Sequence, residues 1–129
     1  MNIQHLCNIL RYKVTEIQQE KRRQRLGISP YAPIHKDIAS LIRINVVEPI
    51  VRDLCQKTGE NITVQVGLST GFYKLLVDKK AFIVIYIPNP ASGLIYVRYL
   101  NKQGLQCASA KLLNDTSQIV SYLKDFKDM

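Results

Sequence analysis

The sequence predicts a two-layer α+β domain: two N-terminal helices, an antiparallel meander of about five strands, and a C-terminal helix. Three observations predict it. Apolar residues recur at helical spacing through residues 2–58, at a period of two through residues 61–111, and at helical spacing again over 115–127. The links between the expected strands are short, which favours antiparallel neighbours over crossovers. The 129 residues, 47% apolar and 22% charged, suit one domain with a sizeable core.

Each element has its own signal. Ile3, Leu6, Cys7, Leu10, Val14 and Ile17 line one face of a helix. The stripe stops at Ile17, but helix formers continue to Gly27, a natural residue just past a helix C-terminus. Helix one is therefore expected over residues 2–26, followed by a stiff loop holding Pro30, Tyr31 and Pro33. Ile38, Leu41, Ile42, Val46, Ile50, Val51, Leu54 and Cys55 give a second helical face within residues 34–58. Pro49 removes a backbone donor inside it, so a kink or a break into two helices is expected there.

Ile62, Val64 and Val66 alternate with Thr63 and Gln65, a half-buried strand. Residues 67–71 turn the chain, 72–77 form the next strand, and Asp78-Lys79-Lys80 turns it again. Residues 81–87 are apolar on both faces, as a central strand would be. A turn over 88–93 leads to a strand over 94–100, a tight loop Asn101-Lys102-Gln103-Gly104, and a strand over 105–111. Asn114 to Ser117 offer caps for the last helix, whose inner face holds Ile119, Leu123 and Phe126.

Charge narrows the function classes. There are 18 Lys+Arg against 10 Asp+Glu, a net +8 with a pI near 9.5, which points to anionic partners. The first 57 residues carry +5 and the rest +3. The densest feature is Lys21-Arg22-Arg23-Gln24-Arg25, four cations in five residues where helix one has lost its apolar stripe. Burying them would require desolvating each charge, so they face water or an anion. Arg binds phosphate with planar paired donors. Lys21, Arg22, Arg23 and Arg25, supported by Arg11, Lys13 and Lys36, are the candidate nucleic-acid contacts, made to the phosphate backbone with little base readout.

A second candidate lies on the strand Gly93-Leu94-Ile95-Tyr96-Val97-Arg98-Tyr99. Gly93, Tyr96, Val97 and Tyr99 resemble the sheet motif of RNA-recognition domains, which implies bases stacked on aromatic rings. Ser92, Leu94 and Ile95 depart from the motif, and no strand precedes the first helix as that fold requires. Tyr96 and Arg98 remain as possible contacts on the open face of an ordinary strand. The tail's α-β-β-β-α order is similar to double-stranded-RNA-binding domains in topology alone, because Lys111 is the single lysine near the start of its last helix.

Catalytic patterns are incomplete, and no catalytic residue, metal site or cofactor is expected. Gly67-Leu68-Ser69-Thr70-Gly71 spells a nucleophile elbow, yet a strand follows it and both histidines, His5 and His35, lie upstream. Glu48, Glu60 and Asp78 follow the order of a metal-dependent nuclease core, but the strand after Asp78 holds no carboxylate. A degenerate nuclease-like domain is the third reading. The second is a protein-interaction or assembly module: Ile3, Cys7, Leu10, Val14 and Ile17 keep near-heptad spacing, a seam for a homodimer through helix one. The basic run would then meet an acidic protein partner or simply water.

Cys7, Cys55 and Cys107 are isolated, odd in number and set among apolar residues, so each is expected buried in a reducing, cytoplasmic setting. Polar residues interrupt positions 1–10, so no secretory leader is expected. The longest apolar run, residues 81–87, is too short to span a bilayer, and no membrane partner is expected.

Overall fold

A computed structural model describes residues 1–30, 38–66 and 71–129. Residues 31–37, with His35 and Lys36, and 67–70, most of the Gly-flanked turn, lie outside the described residues. The fold is α+β. Its elements in order are α1 (Ile3–Arg25), α2 (Ile38–Ile42), a π-helical turn (Arg43–Val47), α3 (Glu48–Thr58), β1 (Ile62–Val66), β2 (Phe72–Val77), β3 (Lys80–Tyr86), a 3₁₀ turn (Pro90–Ser92), β4 (Tyr96–Tyr99), β5 (Lys111–Leu112) and α4 (Ser117–Asp128).

α1 begins where the Asn2 side chain accepts the Gln4 N–H at 2.8 Å. It ends in a Schellman turn. Gly27, at φ +73°, donates to the Gln24 carbonyl and Ile28 donates to that of Arg23. The second helical stretch is interrupted as expected, in a particular way. Pro49 has no N–H for the carbonyl four residues back, and its ring would crowd that carbonyl. The chain widens into the π turn, in which the Glu48 N–H reaches the Arg43 carbonyl, and α3 starts with proline in its first turn.

The sheet has the order β1-β2-β3-β4-β5, every pair antiparallel, with β3 central. Asp78 and Lys79 make the two-residue β2–β3 loop at φ +50° and +65°, so Lys80 opens β3. Between β2 and β3 the register slips: Leu75 faces Ile83 but Leu76 faces Ala81, leaving Phe82 as the extra residue of a bulge. A bulge lets two successive side chains turn to one side. Phe82 and Ile83 are both fully buried, and the Phe82 ring lies 5.9 Å from that of Phe126 on α4. One core joins Leu10 and Val14 of α1, Ile50 and Leu54 of α3, the sheet and Leu123 of α4.

Two expectations need correction. The strand expected over 105–111 does not form. The Asn101–Gly104 loop turns as expected, but only a single bridge, Leu100 to Gln106, follows it. Residues 105–110 are exposed; Ala108, Ser109 and Ala110 have weak strand preference and no apolar face to bury. Pairing resumes at Lys111, giving a β5 of two residues. In consequence Cys107 is exposed, where a buried cysteine was expected, while Cys7 is buried and Cys55 half-buried. All three are unpaired thiols.

Candidate nucleic-acid interface

α1 spans 23 residues, about 35 Å of helix. Its last buried residue is Ile17, so roughly 12 Å of helix continues beyond it. By spacing, Lys21 and Arg25 stand on the same stripe as Ile17, one and two turns further on. Both are exposed. Along that line the stripe passes, among the described residues, from buried apolar side chains to exposed charge. Arg22 and Arg23 are exposed on the remaining sides, while Glu20 and Gln24 are half-buried.

The cations of this end are little neutralised. Arg23 lies 3.7 Å from Glu20, an exposed i,i+3 pair. No ion pair among the described residues engages Lys21, Arg22 or Arg25. Three arginines in the last turn also meet the negative end of the helix dipole, which favours the helix and holds the charges in place.

The supporting residues divide. Arg11 donates to the Ser92 carbonyl at 3.4 Å, against the turn that ends at Gly93. Gly93 sits at φ +72°, and a β-carbon there would lie 2.3 Å from the Arg11 Nη2, so this glycine gives the guanidinium room. Lys13 donates to the Asn45 Oδ1 at 3.0 Å, tying α1 to the π turn. Both partners are neutral, so neither charge is cancelled. Lys36 lies outside the described residues.

Tyr96 and Arg98 fall on the open face of the sheet, and Tyr99 on the helical face, where burial raises its pKa. Register gathers two further rings that sequence reasoning missed. Phe72 faces Tyr86 and Tyr86 faces Tyr96. Phe72 and Tyr86 stack at 4.4 Å, the Tyr86–Tyr96 centroids are 6.4 Å apart, and the Arg98 guanidinium lies 5.1 Å from the Tyr86 centroid and 5.6 Å from that of Phe72. The signal was period two within each strand, but pairing across strands needs the register. The ring faces are largely taken by one another and by the guanidinium.

Four other described cations have partners away from the α1 end. Lys127 pairs with Glu60, Arg43 with Glu48 at 3.4 Å, and Lys57 with Asp53 at 3.0 Å, while Lys102 stands over the Phe126 ring at 5.4 Å. Glu48 and Glu60 of the nuclease-like reading are thus each held by a separate cation, and Asp78 forms part of a turn. Among the described residues no three His, Cys, Asp or Glu side chains are grouped to hold a metal ion. Nor is any described helix long and apolar enough to cross a membrane. Ile3, Cys7, Leu10, Val14 and Ile17, the heptad-like seam, are all buried in the chain's own core.

No protein-family model matches the chain, and no significant match appears among curated proteins or solved structures.

Proposed function

We propose that the protein binds nucleic acid through the phosphate backbone, without catalysis, using the C-terminal end of α1. The observation that carries this reading is that Lys21 and Arg25 continue a buried stripe yet stand in water. A packing role does not explain a cation at either position, whereas an anionic partner does. Lys21, Arg22, Arg23 and Arg25 supply the phosphate contacts. Arg11 and Lys13, held by neutral acceptors, add uncancelled positive potential along the same helix. Tyr96 and Arg98 play a lesser part, because the neighbouring rings already stack on one another. Base readout is correspondingly weak, and affinity comes mainly from released counterions.

A fluorescence-anisotropy titration of the full chain with several labelled mixed-sequence duplexes and single strands tests this. The reading expects binding that weakens steeply with salt and differs little among sequences. Substituting all four cations with Ala should weaken every oligonucleotide alike. Binding that survives the fourfold substitution unchanged overturns the proposal.

A further inference from the structure

The two edges of the sheet differ. β5 is two residues long and carries Lys111, the kind of short, charged edge that resists pairing with another chain. β1 is five residues, Ile62-Thr63-Val64-Gln65-Val66, with no charge and no proline, and four of its residues are β-branched. Its register with β2 is unbroken from Ile62 opposite Val77 to Val66 opposite Tyr73. The one register shift among the described strands of the sheet, a bulge, lies between β2 and β3 and leaves this edge straight. Among the described residues no strand pairs with the outer side of β1.

Among the described residues the apolar layer beside this strand is only partly covered. The Cys55 Sγ lies 3.9 Å from the Ile62 carbonyl oxygen, which sets the Val51–Cys55 stripe of α3 over β1. Val51, Cys55 and Val64 are only half-buried, and Val66 is 60% exposed. An uncharged edge and a half-covered apolar layer therefore end at the same place.

We infer that β1 pairs antiparallel with β1 of a second copy of this chain about a two-fold axis, joining two five-stranded sheets into one. Self-pairing constrains the register. A two-fold axis perpendicular to the sheet keeps each copy's helical face on the same side, so partners must share a face. Of the registers that meet this condition, the one centred on Val64 pairs all five residues. It sets Val64 against Val64, Ile62 against Val66, and Thr63 against Gln65. The apolar side chains then continue one another on the helical face, covering Val66, and the two polar residues meet on the open face. No like charges oppose each other, because β1 has none. This seam is independent of what the basic run binds, and it differs from a helix-one seam, whose residues are buried within each copy.

Sedimentation of the full chain, from micromolar to near-millimolar protein, tests the inference. The wild-type chain is expected to dimerise reversibly. Thr63 and Gln65 are exposed, so both can be charged without disturbing the core, and circular dichroism checks that the fold is retained. Thr63→Glu with Gln65→Glu places like charges opposite each other twice across the axis and should raise the dimer dissociation constant about tenfold. Thr63→Glu with Gln65→Lys instead places opposite charges there and should restore the dimer. A wild-type chain that stays monomeric throughout overturns the inference. So does a dimer indifferent to the first pair of substitutions, or one lost equally with both pairs.

Discussion

Replacing Asp53 with alanine probes the polar knot that ties α3 to the start of α4. Thr116 is fully buried and is the one buried polar residue among those described. Its hydroxyl donates to the Asp53 Oδ2 at 2.5 Å and accepts from the Lys57 Nζ at 3.0 Å and the Met1 amino group at 3.3 Å. Asp53→Ala leaves that buried hydroxyl without its acceptor. A hydrogen bond to a charged partner contributes about 1.5–3 kcal/mol, so the variant should lose about 2–3 kcal/mol at neutral pH. The Lys57–Asp53 pair lies nearer the surface and adds little.

Thr116→Val should cost less in the Asp53→Ala background than alone, and the double-mutant cycle reads the coupling directly. pH provides a second reading. Burial acts to raise the Asp53 pKa, but the Thr116 hydrogen bond and then Lys57 outweigh it and hold the carboxyl below its ordinary value. A depressed folded pKa means this stabilisation is complete above the ordinary aspartate pKa and lost as pH falls through the folded value. Urea unfolding of wild type and Asp53→Asn should therefore converge as the solution is acidified below the ordinary carboxylate range. An Asp53→Ala chain within about 0.5 kcal/mol of wild type at neutral pH would refute the role given to the knot.

Two further substitutions test the backbone account. Lys79→Gly removes a side chain from φ +65° in the β2–β3 loop and should raise stability by about 0.5–1 kcal/mol, seen as a higher urea midpoint. Gly93→Ala places a methyl group at φ +72° and against Arg11, and should lower stability by about 1–2 kcal/mol in thermal melts. Adding Arg11→Ala should recover the part due to crowding and leave the part due to the backbone.

What was legible in the sequence was mostly local. The α1 stripe, the Gly27 stop and the break before Pro49 follow from spacing and from the chemistry of single residues. The alternation in β1 and the apolar run of β3 were legible for the same reason. What was not legible depends on partners distant in sequence. Phe82 is buried beside Ile83 because a bulge resets the pleat, and only pairing with β2 reveals that. The strand expected over 105–111 looked continuous with its hairpin, yet Ala108-Ser109-Ala110 offers a sheet nothing to bury. At the candidate interface the location of the four cations could be read directly. That they lie past the end of the apolar stripe was legible too, whereas the gathering of Phe72 and Tyr86 with Tyr96 and Arg98 required the register.

The central claim, that the end of α1 grips phosphates, is tested most directly by the slope of log affinity against log salt for one duplex. Each phosphate contact contributes a slope of about −0.9, so removing Lys21, Arg22, Arg23 and Arg25 should flatten the slope by about 3 to 4 units while far-ultraviolet circular dichroism stays unchanged. An unchanged slope in the folded fourfold variant would contradict the account.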